Sequence, residues 1–497
     1  MNAPNLPLRA DTGALLDEVL ALRAEVVAGA QPWMKRFMRD AGAPQPALAN
    51  LAHYLAFRRH DHRSLQRQLM WRGISSLGRL ESRVLPTLDA VIAALSALTG
   101  RASPITPPAE HDYFDGEARL RKATDALFGP PPAGRRERIM VTLPSAAAGD
   151  PDFILDLAQR GMDVARINCA HDDATAWRAM TGHIRKAGET VGRRITVLMD
   201  IAGPKIRTEA VLALDKKAKL AAGGALRLVA HGTPRVTADV PFAAAVSLPE
   251  LVTRLSIGDR FRYDDGKLEG TVESTGEGEA VIRITRAKAH GIKLKPEKGI
   301  NLPDTALGLS PLTAKDHDDL VTVAECADML GYSFVSQAED IDLLEGFLAE
   351  HCVNRPADFP LGLVAKIERP EAVKNLPDLI ARAVSRRPFG VMIARGDLAA
   401  EIGFERLAEM QEEILWICEA AAVPAIWATQ VLEGLVKTGI PSRGEMTDAA
   451  MAGRAECVML NKGPAIGTAV DLLDGLLKRM DAHAFKKTPT LRALKSW

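Results

Sequence analysis

Two stretches of the sequence are the most informative about the fold: Val364-Ala365-Lys366-Ile367-Glu368 and Met392-Ile393-Ala394-Arg395-Gly396-Asp397. Each is a short apolar run that ends in charged residues, which is typical of a buried strand in a parallel sheet. Because side chains alternate along a strand, Lys366 and Glu368 are expected to share one face, as are Arg395 and Asp397. Two carboxylates at neighbouring strand ends can hold a divalent cation, and a lysine beside them can meet a phosphate. The two stretches therefore predict a site for phosphoryl transfer.

Apolar runs of this kind recur along the chain, with helix-like stretches such as Asp152–Arg160 and Leu407–Ala421 between them. Eight parallel strands joined by crossover helices are what a (β/α)8 TIM barrel requires. Such barrels carry their chemistry at the C-terminal strand ends, where the charged residues fall in this sequence. The predicted strands are Ile139–Leu143, Val164–Cys169, Ile195–Met199, Met329–Val335, Leu361–Ile367, Phe389–Ala394, Ala425–Ala428 and Cys457–Leu460.

The bulk composition is that of an ordinary globular protein. The 497 residues carry 63 basic and 63 acidic side chains, so no global field attracts nucleic acid or a membrane surface. No signal peptide is recognised, and no run approaches the roughly 20 apolar residues of a membrane span. We therefore expect a cytoplasmic protein with no membrane or nucleic-acid partner. Scattered cysteines without a Cys-x-x-Cys pair favour a reducing compartment and no zinc site: Cys169, Cys326, Cys352, Cys418 and Cys457.

Residues 1–130 are predicted to form a separate helical region. Apolar residues repeat at helix spacing from Leu15 to Val26, and Gly129-Pro130-Pro131-Pro132 marks a linker. Seven arginines stand between Leu51 and Val84 against two acidic residues. They are interpreted either as a solvated helix face or as a docking surface for a phosphorylated effector, an acidic partner or nucleic acid. The seven are Arg58, Arg59, Arg63, Arg67, Arg72, Arg79 and Arg83.

The barrel is predicted in two parts, residues 131–207 and 299–497, on either side of a small inserted β-barrel domain at residues 208–298. Short strands are expected at Ala225–Val229, Arg260–Tyr263 and Val281–Thr285, with a hairpin turn at Asp264-Asp265-Gly266. The barrel is expected to resume at Gly299-Ile300-Asn301-Leu302-Pro303, and a final helix and basic tail end the chain. An insertion on the catalytic face of a barrel is well placed to act as a lid.

Seven motifs occur in barrel order: Gly161-Met162-Asp163-Val164-Ala165-Arg166-Ile167-Asn168, Asp200 with Gly203-Pro204-Lys205-Ile206-Arg207-Thr208, Asp264-Asp265-Gly266, Gly299-Ile300-Asn301-Leu302-Pro303, Lys366-Ile367-Glu368, Ala394-Arg395-Gly396-Asp397-Leu398 and Ala428-Thr429-Gln430. Together they resemble the pyruvate kinase family over about residues 138 to 465. Each motif alone is weak, whereas the ordered set is specific. The resemblance implies a phosphotransferase of glycolysis that converts phosphoenolpyruvate and ADP into pyruvate and ATP.

The resemblance also implies a role for each matching residue. Glu368 and Asp397 would ligate Mg²⁺, and Lys366 would stabilise the phosphoryl group and the enolate. Arg166 would hold the substrate phosphate, and Thr429 would lie near the route of the proton to the enolate carbon.

The resemblance places two further groups of ligands around these residues. Gly396, together with Asp397 and Thr429, would hold the carboxylate end of phosphoenolpyruvate. The nucleotide phosphates of ADP or ATP would face Asn168, His171, Arg207 and Lys298.

Each of these residues also has a structural interpretation. Lys366 and Glu368 could form an ion pair that serves only stability. Arg166 could pair with Asp200 inside the barrel, and Thr429 could be a satisfied core hydroxyl. His171 could equally be an ordinary histidine of a surface loop.

The sequence departs from the family pattern at the monovalent-cation site. Asn168 and Asp200 remain, but Ala170 and Ile201 replace the usual serine and threonine, so two oxygen ligands are gone. Lys205 stands where potassium-dependent members carry glutamate, and its ammonium is a possible replacement for K⁺. We therefore expect that K⁺ is not required.

Two other departures concern the end of the chain. Asn461-Lys462-Gly463-Pro464 replaces the family's Ser-Gly-Glu-Thr, which puts a positive charge where a carboxylate is usual. The family's C-terminal regulatory domain is not recognised before Trp497, so regulation through it is not expected, and the homo-oligomer we expect would assemble differently. Two alternative functions remain open: a metal-dependent lyase or aldolase of pyruvate-like substrates, and a catalytically weak regulatory protein of pyruvate kinase type.

Overall fold

The structure, a computed structural model, describes residues 11–42, 45–264, 266–305, 308–351 and 360–489. Apolar residues from Leu15 to Val26 are buried at helix spacing, as predicted, and the first helix packs on the second and the fourth. No helix in the described ranges is both long and apolar enough to cross a bilayer. The helices that precede the barrel are α1 (Thr12–Ala41), α2 (Pro46–Phe57), α3 (Arg63–Trp71), α4 (Val84–Thr99) and α5 (Glu110–Phe128).

Most of the arginines between Leu51 and Val84 have partners within the protein. Arg58 donates to the Tyr54 hydroxyl at 2.6 Å, and Arg83 forms an ion pair with a glutamate of α5. The exposed ones include Arg59 and Arg67. The solvated-face interpretation therefore accounts for part of the cluster, and a docking surface stays a prediction. The arginines with protein partners are Arg58, Arg63, Arg72 and Arg83.

The first part of the barrel alternates strands and helices. Because its strands are covered on both faces, their residues are buried almost without exception and are mostly apolar, with polar residues mainly at the strand ends. The elements are β1 (Arg138–Thr142), a 3₁₀ turn (Ser145–Gly149), α6 (Pro151–Arg160), β2 (Val164–Asn168), α7 (Ala174–Val191) and β3 (Thr196–Asp200).

The insertion after β3 forms a seven-stranded sheet with its own hydrophobic core. Its elements are β4 (Thr208–Ala213), β5 (Ala225–Val229), β6 (Phe242–Val246), α8 (Glu250–Arg254), β7 (Arg260–Tyr263), β8 (Leu268–Gly276), β9 (Glu279–Ala287) and β10 (Ile300–Asn301). Tyr263 pairs with Leu268 across the predicted hairpin, whose Asp265 lies outside the described residues. One prediction is wrong: the barrel does not resume at Ile300–Asn301, because β10 pairs antiparallel with β7.

The second part of the barrel supplies the remaining strands, and all eight predicted strands are confirmed as one closed parallel barrel in the order β1-β15-β14-β13-β12-β11-β3-β2. The limits of the domains stay a prediction. The elements are α9 (Ala314–Cys326), β11 (Met329–Tyr332), α10 (Ala338–His351), β12 (Gly362–Ile367), α11 (Pro370–Lys374), α12 (Leu376–Ala383), β13 (Phe389–Ala394), α13 (Arg395–Ile402), α14 (Phe404–Ala420), β14 (Ala425–Ala428), α15 (Glu433–Thr438), α16 (Arg443–Ala452), β15 (Cys457–Leu460), α17 (Ile466–Asp481), β16 (Ala484–Phe485) and β17 (Thr488–Pro489).

The four described cysteines are free, and Cys352 lies outside the described residues. Residues 490–497 of the predicted basic tail also lie outside the described residues.

The end of α5 closes the N-terminal end of the barrel. Leu127 and Phe128 share a buried cluster with inward-facing strand residues such as Val364. A methyl group added at Gly362 or Gly390 would lie 2.7 or 2.5 Å from a Leu127 methyl carbon, so β12 and β13 each have a glycine near their start where the leucine packs. The C-terminal end of α5 is thus packed against the N-terminal end of the barrel.

Replacement of Leu127 by alanine is expected to destabilise the protein by about 2–5 kcal/mol, because it leaves a cavity under the barrel. The matched control is Leu98→Ala, because Leu98 is 62% exposed and its truncation should stay within about 0.5 kcal/mol. Denaturant unfolding followed by circular dichroism measures both. Equal stability of the two variants would show that α5 does not support the barrel.

Candidate active site

The Lys366 ammonium lies at the centre of a polar cluster at the C-terminal strand ends. Its Nζ is 2.8 Å from Glu368 Oε1, 3.3 Å from Asp200 Oδ1 and 2.7 Å from Ser333 Oγ. Burial works against the charge on this lysine, but the carboxylates of Asp200 and Glu368 outweigh burial and raise its pKa. The site therefore holds a permanent, oriented positive charge.

Glu368 and Asp397 face one small cavity between the barrel and the insertion. Glu368 is 2% exposed, and its Oε2 accepts a hydrogen bond from the Phe334 backbone N–H at 2.7 Å. Burial raises the pKa of Glu368, and the charge of Asp397 adds to this effect, while Lys366 opposes it. The two carboxylates therefore lie close enough to repel each other.

This donor set fits a divalent cation of the magnesium type. A cation between Glu368 and Asp397 would relieve their repulsion, and carboxylate oxygens are the ligands that Mg²⁺ prefers. No group of three or more histidine, cysteine, aspartate or glutamate side chains in the described part of the chain could hold a metal by itself. The remaining ligands would be substrate and water oxygens, which is usual for Mg²⁺.

Lys205 binds the second carboxylate directly. Its Nζ lies 2.7 Å from Asp397 Oδ1. Burial opposes the charge of Asp397, but the ammonium groups of Lys205 and Lys366 more than compensate and lower its pKa. Asp397 is thus held ionised before any metal binds.

One part of the predicted site is wrong, because Arg395 and Asp397 do not share a strand face. Helix α13 begins at Arg395, and side chains two positions apart point in different directions on a helix. Arg395 instead pairs with Asp448, with its Nη1 2.5 Å from Oδ1, and lies over the Trp427 ring. Its role is to tie the start of α13 to the neighbouring strand and helix.

Arg166 is buried and takes the pairing that the structural interpretation expected. Its Nε lies 3.0 Å from Asp200 Oδ2, and its Nη1 donates to Thr142 Oγ1 at 3.0 Å. Asp200 therefore links Arg166 to Lys366, since its other oxygen faces the lysine. Arg166 and Lys366, the two cationic side chains that the sequence assigns to the substrate phosphate, thus share the buried carboxylate of Asp200.

Gly396 and Thr429 meet where β14 and α13 approach each other. The Gly396 backbone N–H donates to Thr429 Oγ1 at 2.8 Å. Thr429, Gln430 and Leu432 all have positive φ angles, of 63°, 57° and 49°. Such backbone strain is tolerated where the surroundings fix it, and it often marks functional loops. The loop brings the Thr429 hydroxyl to the first turn of α13.

The residues assigned to the nucleotide are only partly brought together. Partial burial lowers the pKa of His171. The positive charges of Lys462, Arg207 and Arg166 lower this pKa further, so the three cations lie in the same region as His171. Lys298 instead forms an ion pair with Asp264 of the insertion, with its Nζ 3.1 Å from Asp264 Oδ1.

The other two nucleotide candidates make mostly local contacts. Asn168 Oδ1 accepts a hydrogen bond from the Ala170 N–H at 3.1 Å, which shapes the turn after β2. Arg207 donates through Nη1 to the Glu297 carbonyl at 3.0 Å, across the two chain segments that connect the insertion to the barrel.

The sequence analysis does not single out Ser333, and it notes the positive charge of Lys462 without placing it near His171. The Ser333 hydroxyl receives the Lys366 bond and itself donates to the Ile201 carbonyl at 2.6 Å. Its position directly after β11 was the available signal, because other site residues also follow a strand end. Lys462 follows β15 by two residues, and its charge reaches His171.

Comparisons with known proteins identify the family. A family model described as the pyruvate kinase barrel domain matches residues 134–469. A pyruvate kinase from Agrobacterium vitis is 32% identical over 373 residues, which cover 73% of this chain and 72% of that relative. One from Mycobacterium intracellulare is 32% identical over 340 residues, or 67% and 66% of the two chains. A crystal structure of a pyruvate kinase from Cryptosporidium parvum matches with a TM-score of 0.61 at 26% identity, over 72% of each chain. The chain belongs to the pyruvate kinase family of phosphotransferases.

Proposed function

We propose that this protein catalyses Mg²⁺-dependent phosphoryl transfer from phosphoenolpyruvate to ADP, giving pyruvate and ATP in glycolysis. The observation that carries the proposal is the convergence of Lys366, Glu368 and Asp397 at the mouth of the closed barrel. The proposal also includes a cytoplasmic location and a homo-oligomer.

Phosphoryl transfer passes through a loose transition state, so positioning and positive charge matter more than covalent chemistry. Bound between Glu368 and Asp397, Mg²⁺ would supply charge and a fixed orientation for the transferring group. Lys366 supplies a second positive charge, which stabilises the phosphoryl oxygens and then the enolate. Arg166 holds the substrate phosphate from the side of β2.

The other end of phosphoenolpyruvate is assigned to the start of α13. Backbone N–H groups at a helix start are favourable for an anion, and Gly396 and Asp397 lie in that turn. The Thr429 hydroxyl, 2.8 Å from the Gly396 nitrogen, lies on the same side and near the proposed route of the proton to the enolate carbon.

The nucleotide is assigned to the side of the insertion, where Asn168, His171, Arg207 and Lys298 would face its phosphates. The insertion acts as a lid in this proposal. Its contacts with α13 support this, because Asn301 Nδ2 donates to Glu401 Oε1 at 2.8 Å on the helix that carries Asp397. Closing of the lid would also bring Lys298 towards the barrel.

Turnover is expected to be independent of potassium. The Lys205 ammonium lies 2.7 Å from Asp397, and Ala170 and Ile201 offer no side-chain oxygen to a K⁺ ion. Replacing tetramethylammonium chloride by KCl at equal ionic strength should therefore change the rate by less than about twofold, which leaves only general screening. A steep rise with K⁺ alone would contradict the role of Lys205.

One assay separates the kinase from the two alternatives. The protein is mixed with phosphoenolpyruvate, ADP and Mg²⁺, and pyruvate and ATP are measured in the same samples. Equal amounts of both products support the kinase, and none should form after chelation of Mg²⁺. Pyruvate without ATP would indicate transfer of the phosphoryl group to water, which is hydrolase chemistry. No product at all would contradict the kinase and favour the lyase, which needs another substrate, or the regulatory protein.

A further inference from the structure

A second cavity, which we call the lower cavity, lies at the N-terminal end of the barrel and has a volume of about 330 Å³. It is enclosed by α5, the segment leading into β1, the loop before β15 and the C-terminal hairpin. Its apolar walls include Leu120, Ala455 and Phe485. Pockets that take small organic molecules begin at about this size and are mostly apolar with a few polar groups.

One carboxyl group in the lower cavity has no ion pair among the described residues. Glu137 is 5% exposed, and its Oε2 has no hydrogen-bond donor among the described residues. Each other buried charged side chain of the wall already has an opposite charge: Arg138 with Asp125, Arg454 with Glu412 and Lys486 with Glu456. The Nε atoms of Arg138 and Arg454 also lack an acceptor among the described residues, although both side chains have an ion pair. Glu137 is therefore the buried charged side chain of this wall that has no ion pair among the described residues.

The electrostatics of Glu137 agree with its geometry. Burial raises its pKa to about 7, with smaller contributions from the charges of Asp481 and Glu456. Its own backbone N–H and Arg136 favour the ionised form but do not compensate for burial. A buried carboxyl with one oxygen left without a donor is costly to the protein, and a cationic ligand would reduce that cost.

We propose that the lower cavity binds a small organic cation, a primary ammonium or amidinium group on a compact apolar body, with the charged group against Glu137. The apolar body packs on Leu120, Ala455 and Phe485. Because this cavity is at the opposite end of the barrel from Lys366, the ligand does not compete with the substrates. It contacts the N-terminal helices and the barrel at once, so it would fix α5 against the strands.

The test uses the full chain and probes that share a shape but differ in charge. Isothermal titration calorimetry compares benzylamine with benzyl alcohol and benzoate, and butylamine serves as a second, smaller cation. We expect one benzylamine to bind per chain, with benzyl alcohol and benzoate at least about tenfold weaker, because neither supplies a cation to Glu137. Benzoate binding as tightly as benzylamine would overturn the proposal, as would no binding of either amine.

Glu137→Gln keeps the shape of the side chain and removes its charge, and it should weaken benzylamine binding about tenfold. The matched control is Glu419→Gln, because burial also raises the pKa of Glu419 to about 7 but this side chain lines a different cavity. Glu419→Gln should leave benzylamine binding unchanged. Equal binding by the wild type and Glu137→Gln, or an equal loss in both variants, would place the amine elsewhere and overturn the proposal.

Discussion

Lys366→Met is expected to lower the turnover of phosphoenolpyruvate and ADP by about 10³-fold or more, the scale of losing one preorganised transition-state charge. The reason is local: Nζ lies within 3.3 Å of both Glu368 and Asp200, and the variant has no other ammonium at this point. Steady-state kinetics at saturating substrates and Mg²⁺ measure the effect. The loss should appear in kcat, because the charge acts on the transferring group.

Lys374→Met is the matched control for this prediction. Lys374 is exposed on α11, eight residues further along the chain, and its loss should leave kcat within about twofold. Because methionine leaves two buried carboxylates without their lysine, the fold of Lys366→Met is checked by circular dichroism. Lys366→Arg keeps a cation beside Asp200 and should fold, with turnover still reduced because the charge is displaced. Wild-type rates in both variants would remove Lys366 from the mechanism.

Asp397→Asn is expected to reduce turnover by about 10²-fold or more and to raise the Mg²⁺ concentration needed for half-maximal rate, because one of two protein carboxylates for the ion is lost. The amide also cannot balance the Lys205 ammonium 2.7 Å away, which adds an unpaired positive charge beside the metal position. Rates measured over a range of Mg²⁺ concentrations show both effects.

The control for Asp397→Asn is Glu371→Gln, which removes an exposed carboxylate from the helix that follows β12. Its Mg²⁺ dependence should match that of the wild type. If Asp397→Asn also showed wild-type Mg²⁺ dependence, the metal would have to be held by other groups.

The barrel could be predicted because each of its strands has a recognisable local sequence pattern. Each strand is a short apolar run with a charged or polar end, and runs such as Leu361–Ile367 differ from the observed Gly362–Ile367 by a single residue. Lys366 and Glu368 could be placed for the same reason, since they belong to one such run. The family motifs then supplied the partners on other strands.

The predictions that were wrong or incomplete concern residues whose positions depend on contacts with residues far away in the sequence. Whether Arg395 extends β13 or begins α13 depends on its pairing with Asp448, which lies 53 positions away. The two residues of β10 are assigned to the insertion only by their pairing with Arg262 and Tyr263. Ser333 gains its importance from Lys366, 33 residues later. Single-sequence patterns do not contain such pairings.

The most direct test of the central claim is a crystal structure with Mn²⁺ and phosphoenolpyruvate, in which anomalous scattering locates the metal. We predict one metal peak within about 2.0–2.2 Å of a Glu368 oxygen and an Asp397 oxygen, with the substrate phosphate between the metal and Lys366 Nζ. A metal peak that touches neither carboxylate, or a phosphate bound away from Lys366, would contradict the account.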